Sequence, residues 1–519
     1  MKTLKTWVTC CVLVLLGHGF AWADEQANKE AQSMNRKKTK TGIRILACIL
    51  LWSPIFVSFI FPNEVCAMDS KANRELIIDS VNGVAMCADR HQWAACRSYF
   101  VDEPFIDYSS LSGQSGSKVK ADDLIKSWSS FLPRFKFTQH FMTNHDVKVA
   151  GDAATCHSYV HAIHFLPYAE GGEFWGVYGT YDHELVRTPS GWKVSKMTFH
   201  LLYQEGNKNL PALTARVPDE RKETFVSEGD KLAGKLFIPA DHKEKDRLPA
   251  IIVVGSWITV KEQMASTYAK KLAAEGFATL VFDFRGYGES GGEPRQFESP
   301  QRKIQDIKNA VTFLRTLPMV DPDRIGGLGI CAGSGYMSWA AAEDKRIKAV
   351  AAIAPWLHDA ELVKLVYGGE KGVNEKIAAG DAARKKFEQS KANDLVPACS
   401  VTDNRAAMFG PFEYYLNPTR GAIPEWKNQF AVISWPEWLG FDPIRKAADI
   451  SAPVLLIHSE NAAIPDGAKR FHAKLVAEKD LYWMNGTQFD FYDDPVTVNE
   501  ASRKTTQWFN KYLKPERSN

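Results

Sequence analysis

The 519 residues carry 64 lysines and arginines against 61 aspartates and glutamates, a formal net charge of +3, with 24% charged and 45% hydrophobic residues. That balance excludes a disordered or collagen-like chain, and the mixing of basic with acidic residues beyond the N-terminus excludes the footprint of a nucleic-acid binder. The length exceeds one ordinary core and is read as two folded domains behind a targeting segment.

Residues 1–67 read as that segment, built from two tandem signal-like runs. Lys2 and Lys5 precede an apolar run from Trp7 to Trp22, which ends in Ala21-Trp22-Ala23 before Asp24, the small-residue pattern of secretory cleavage. Arg36, Lys37, Lys38, Lys40 and Arg44 precede a second run from Ile45 to Phe61, followed by Val65-Cys66-Ala67 before Met68. Both runs carry positive charge on the N-terminal side, so they do not suit adjacent membrane spans, and one is expected to act as the export signal. Met34 offers an alternative start. The expected location is periplasmic or secreted, with a mature chain beginning after Ala67 or at the earliest after Ala23. The contrasting reading, a membrane anchor over Ile45 to Phe61, must accommodate Pro54 in mid-run and a barely sufficient length.

Of the nine cysteines, Cys87, Cys96, Cys156, Cys331 and Cys399 follow this segment. Outside the cytoplasm an odd count leaves at least one free thiol, for which Cys331 is the candidate. No pair of CxxC motifs or Cys/His cluster suggests a zinc site, and no metal or other cofactor is expected.

Residues 68–206 read as helices followed by strands. Leu76, Ile77, Val81, Val84 and Ala85 recur at helical spacing, and a second helical stretch follows through Trp93 and Cys96. Alternating segments at 146–149, 154–161, 175–181 and 192–197 then read as a curved antiparallel sheet. The blocks Ala88-Asp89-Arg90-His91-Gln92-Trp93, Thr138 to Asn144 and Gly191-Trp192 resemble the SnoaL-like polyketide cyclases of the cone-shaped nuclear-transport-factor fold. The resemblance implies an α+β cone enclosing a pocket for small apolar molecules, with Asp107, Tyr108, His140 and His161 as its polar candidates. A histidine or aspartate there is suited to general-base chemistry on an acidic C–H. His157 and His161 have the spacing of a helical metal pair, but in a strand they stand about 13 Å apart.

A second domain spans 211–516. The strand-rich stretch 222–239 is followed by apolar runs at 250–254 and 278–282 that alternate with helices over 267–275 and 304–317, as in a mostly parallel sheet covered on both faces. A strand at 325–328 then runs into Gly329-Ile330-Cys331-Ala332-Gly333 and a further helix. This is G-x-C-x-G in the strand–turn–helix setting that a nucleophile elbow requires. With Phe284 to Gly292 and the element order, it resembles the α/β-hydrolase fold. Cysteine at the elbow resembles the dienelactone hydrolases, and Val260 to Gln263 with Pro355 to Asp359 resembles bacterial hydrolases near the dienelactone and acetyl-xylan esterase branches.

The resemblance places oxyanion donors at the backbone N–H groups of Ala332 and of the turn at Trp257. It expects the triad acid after the strand 454–457, where Glu460 and Asn461 stand, and the catalytic histidine at Gln488. No histidine follows His472, so the general base is missing from its expected place, and His358 is the alternative base. Residues of about 359–441 are expected to form a cap.

The function expected is an exported hydrolase that hydrolyses or transfers acyl groups of small esters or lactones through Cys331, since a thiolate needs less help than a hydroxyl. The alternatives are a degenerate small-molecule binding protein, or cyclase or isomerase activity in the SnoaL-like domain. The partner expected is a small-molecule substrate, with no nucleic acid, and with a membrane only if the N-terminal segment is retained as an anchor.

Overall fold

The structure is a computed structural model that describes residues 62–514, with side chains from Lys71 onward. The two apolar runs near the N-terminus lie outside the described residues. Among the described residues no helix is long and apolar enough to cross a membrane.

The first domain opens with α1 (Pro62–Asp89) and α2 (Trp93–Ser98). Ile77, Val81 and Val84 fall on one side of α1 and are buried, which fits residues three and four apart on a helix. Cys87 at the end of α1 is disulfide-bonded to Cys96 in α2, leaving Cys156, Cys331 and Cys399 as free thiols. Six strands follow: β1 (Phe100–Asp107), β2 (Ser117–Lys118), β3 (Phe137–Ala150), β4 (Ala153–Phe165), β5 (Phe174–Thr188) and β6 (Gly191–Gly206). They pair in the order β2-β1-β6-β5-β4-β3, antiparallel except for β1 beside β6. Along β4 the side chains of Ala154, Cys156, Ser158, Val160, Ala162 and His164 are buried while those between them are less so. The period of two thus assigns one face to the interior. Helix α3 (Ala121–Phe131) belongs to this core, its Trp128 meeting Phe100 edge-on at 5.9 Å between ring centres.

The second domain holds an eight-stranded sheet: β7 (Asp219–Ser227), β8 (Asp230–Ile238), β9 (Leu248–Val254), β10 (Ala278–Phe282), β11 (Val320–Ile330), β12 (Ile347–Ile353), β13 (Val454–His458) and β14 (Lys479–Trp483). Their order is β14-β13-β12-β11-β9-β10-β8-β7. β7 and β8 run antiparallel to their neighbours, and the other six are parallel. Ile251 to Val254 are almost completely buried, as a strand covered on both faces requires. The helices α4 (Met264–Ala274), α5 (Pro300–Leu314) and α6 (Ala332–Glu343) follow β9, β10 and β11 in turn. Between β12 and β13 lies the insertion, built from helix Ala360–Val366, α7 (Gly369–Ser390), four two-residue strands and a short helix at Trp435–Leu439.

The domains meet through specific contacts. Lys271 Nζ of α4 donates to the carbonyl of Tyr168 in the β4–β5 loop at 2.7 Å. Arg216, in the stretch that leads from β6 to β7, pairs with Glu275 at the end of α4 at 2.7 Å. Beside them opens a cleft of about 510 Å³, walled by Tyr168 on one side and by Gln263, Met264, Tyr414, Arg420 and Tyr492 on the other.

Candidate active site

β11 ends at Ile330 and α6 begins at Ala332, so Cys331 makes the whole turn, with φ 54° and ψ −119°. A non-glycine residue in that region is strained and persists only where its surroundings fix it. Here the Cys331 N–H donates to Ile353 O at 2.9 Å, and its carbonyl accepts from Trp356 N at 3.0 Å. The flanking glycines have a steric reason: a Cβ on Gly329 would run into the Ser334 backbone, and one on Gly333 into the Gly255 carbonyl.

Cys331 is 6% exposed. Burial pushes its thiol above the ordinary cysteine value, opposed by the neighbouring hydroxyls of Ser256 and Tyr492 and the backbone N–H groups of Ala332 and Trp257. The hydroxyls form a chain: Tyr415 OH donates to Ser256 Oγ at 3.1 Å, and Ser256 Oγ lies 3.0 Å from Tyr492 OH. The indole of Trp257 packs among Phe430, Trp435 and Trp438 of the insertion, with ring centres 4.9 to 6.2 Å away.

Gln488 reaches this cluster through Tyr492. Its Nε2 donates to Tyr492 OH at 3.2 Å and to Ala354 O at 3.0 Å, and its Oε1 accepts from Ala463 N at 2.9 Å. The other sequence candidates stand elsewhere. Glu460 is exposed and paired with Lys469 at 2.8 Å, and Asn461 is also exposed, so neither carboxylate nor amide meets Gln488. His358 is not oriented as a base for Cys331: its Nδ1 accepts from Trp356 Nε1 at 2.8 Å, which leaves the proton on Nε2, facing Trp438 O at 3.2 Å. Burial holds this imidazole neutral, with its pKa pushed down to about 4. Ser256, Tyr415 and Tyr492 were not singled out from sequence, although Tyr492 follows directly on the turn that carries Gln488.

In the first domain a cavity of about 250 Å³ lies between helices and sheet. His140 and Tyr108 line it, as expected. Asp107 does not: its carboxylate accepts from Ser109 N at 2.8 Å, at the start of a short helix. His161 is on the opposite face of β4, stacked 3.9 Å from Tyr178. Three residues not singled out from sequence complete the interior. Asp89 accepts from the His140 backbone N–H at 2.7 Å and pairs with His140 Nδ1 at 2.8 Å. Burial raises the Asp89 pKa, but the hydrogen bond and charge of His140 outweigh it and leave the carboxyl below its usual value. His164 also lines the cavity, its pKa pushed down to about 4 by burial. Tyr181 OH donates to Tyr108 OH at 3.3 Å. Strand parity could have found His164, which shares the buried register of Val160 and Ala162, whereas His161 does not.

Residues 70–198 match the family described as the SnoaL-like domain, and residues 228–486 match the X-Pro dipeptidyl-peptidase (S15) family. The chain is 33% identical over 309 residues to the uncharacterized protein PA2218 of Pseudomonas aeruginosa, covering 56% of this chain and 80% of that one. It is 30% identical over 295 residues to the uncharacterized protein YcjY of Escherichia coli, covering 54% of this chain and 94% of that one. It is 36% identical over 262 residues to a protein of Eupenicillium brefeldianum named thiohydrolase, covering 49% and 80% of the two chains. The crystal structure of the Pseudomonas protein superimposes with a TM-score of 0.52 at 28% identity, covering 57% of this chain and 94% of that one.

Proposed function

The chain belongs to the α/β-hydrolase family, with a SnoaL-like domain fused ahead of the hydrolase domain, and on that premise we propose that it takes acyl groups from thioesters or comparably activated esters onto Cys331. The observation that carries this reading is the strained, buried Cys331 between β11 and α6, held by Ile353 O and Trp356 N, with the Tyr415–Ser256–Tyr492 hydroxyl chain beside it and Gln488 bonded to that chain. In the step proposed, the Cys331 thiol attacks the acyl carbonyl and the Trp257 and Ala332 N–H groups receive the developing oxyanion. The bond to the donor sulfur breaks, the acyl group remains on Cys331 as a thioester, and the proton lost by Cys331 ends on the departing thiol.

Without a histidine, no group is poised to protonate a leaving alkoxide. A thiolate, with a conjugate-acid pKa of about 8.5, leaves unaided. The relative named thiohydrolase supports sulfur esters as the donor class. The same vacancy slows hydrolysis of the acyl-enzyme, because water needs a base while a thiol acceptor needs little help. Transfer to a small acceptor is therefore favoured over hydrolysis. Incubation with S-acetyl-N-acetylcysteamine should add one acetyl group, mapped to Cys331 by peptide mass spectrometry and absent in Cys331→Ala. An unmodified wild-type chain would leave the hydrolase domain as a binding module.

A second reading is supported by the Asp89–His140 pair facing the first domain's cavity: proton abstraction from, or isomerisation of, a small apolar carbonyl compound. His140→Ala should abolish such turnover while leaving acylation of Cys331 intact. Export of the chain, which remains our expectation, is supported by the Cys87–Cys96 disulfide, a bond typical of oxidising compartments.

A further inference from the structure

Behind the turn that carries Trp257 lies a fully buried carboxylate, Glu298, which the mechanism above does not use. Its oxygens accept from four donors on separate segments. Ile258 N, in the turn itself, donates at 2.9 Å. Tyr287 OH, in the loop after β10, donates at 3.0 Å. Tyr336 OH, one turn into α6, donates at 2.5 Å. Lys303 Nζ of α5 is paired at 2.7 Å and lies over the rings of Tyr287 and Phe284, 4.5 and 4.8 Å from their centres. The Glu298 N–H in turn donates to Ser434 Oγ of the insertion at 2.9 Å.

We infer that Glu298 is a positioning residue for the oxyanion hole, tying the Trp257 donor and the Ala332 donor to one fixed point; this rests on the reading of Cys331 as the acyl acceptor. Ile258 is β-branched yet has φ 57°, a conformation that costs of order 1–3 kcal/mol and needs outside support. The bond from its N–H to Glu298, with that from Trp426 Nε1 to its carbonyl at 2.9 Å, supplies the support. Those bonds fix the two peptides on either side of Ile258 and so hold the turn immediately after the Trp257 N–H. Tyr336 lies four residues beyond Ala332, on the same side of the first turn of α6, so its bond to Glu298 sets how deeply that helix end seats against the turn. A lone anion behind the hole would repel the developing oxyanion. Lys303 offsets that charge while leaving the carboxylate's acceptor directions in place. Buried ion pairs add little stability over apolar side chains of the same volume, which points to orientation as what this pair contributes.

The test compares two reactions of Cys331. Acylation by S-acetyl-N-acetylcysteamine passes through an oxyanion, whereas alkylation by iodoacetamide does not. In Glu298→Gln, acylation should fall about 10- to 100-fold, less than for outright loss of a donor, while alkylation stays within about threefold. Lys303 is left unpaired in that variant; if it fails to fold, Glu298→Gln/Lys303→Met removes the charge and Tyr336→Phe removes a single donor, and both should lower acylation selectively. An equal fall in both reactions, or unchanged acylation, overturns the inference. Failure of the wild-type chain to acylate at all overturns the reading of Cys331 beneath it.

Discussion

Replacement of Gln488 by histidine asks whether the missing base alone limits turnover. General-base assistance contributes about 10² to 10⁴-fold, or about 2.7 to 5.4 kcal/mol of barrier. The surroundings partly suit an imidazole, because Ala354 O, which now accepts from Gln488 Nε2 at 3.0 Å, could accept a ring N–H and leave the other nitrogen basic. What stands in the way is the Tyr492 hydroxyl, which bonds to Gln488 and lowers the Cys331 thiol pKa from close by. Gln488→His alone is therefore expected to raise deacylation by less than about tenfold, whereas Gln488→His/Tyr492→Phe, which opens the space for an activated water, should reach about 10²-fold. With p-nitrophenyl acetate the wild-type chain should give a stoichiometric burst followed by a slow steady rate. The double variant should raise the steady rate without changing the burst amplitude. A wild-type steady rate as fast as its burst, or a double variant no faster than wild type, would refute the claim that deacylation lacks a base.

Iodoacetamide is expected to modify Cys331 ahead of Cys156 and Cys399, which are each 1% exposed against 6% for Cys331, and peptide mapping checks the order. Because burial raises the Cys331 thiol pKa, the labelling rate should still be climbing at pH 9, and a plateau near pH 7 would contradict the environment described. His164, His183, His358 and His458 are held neutral by burial, each with a pKa pushed down to about 4. The unfolded chain binds those protons from about pH 6.5 downward, so their contribution to stability is complete above pH 6.5 and is lost as the pH falls toward 4. The loss at pH 5 is of order 2 kcal/mol per histidine, and urea midpoints at pH 7 and pH 5 should differ accordingly. Replacing both Cys87 and Cys96 by alanine should cost about 2–3 kcal/mol, the closure entropy of so short a loop, read as a lower melting temperature.

Elements whose chemistry is local were legible in the sequence. The nucleophile elbow needs small residues on either side of one strained residue, and Gly329 to Gly333 show that need directly. The oxyanion donors proposed at Trp257 and Ala332 are backbone groups, so reading the two turns was enough to name them. The absence of a histidine where the family resemblance expects one, at Gln488, could be read from the turn after the last strand. What could not be read was convergence. Ser256, Tyr415 and Tyr492 come from a turn, the insertion and the final turn region, and nothing within any one segment marks its hydroxyl as facing the sulfur. Glu460 followed its strand as expected, yet its carboxylate turned outward to Lys469, a choice made by surface charge rather than by position in the chain. In the first domain, Asp89 sat in a quoted motif without a role because its partner His140 is 51 residues away. His161 was misplaced for want of a parity argument along β4.

The cleft between the domains makes heredity in this chain less modular than its two families suggest. Tyr492 shows one side to that cleft and its hydroxyl to Cys331, while the opposite wall is Tyr168, a residue of the SnoaL-like half. A mutation in the β4–β5 loop thus also alters the cleft that Tyr492 of the hydrolase half lines. Exchange of either half for that of a relative would graft a foreign wall onto the cleft, so the two halves are expected to have diverged as a matched pair rather than as separable cassettes.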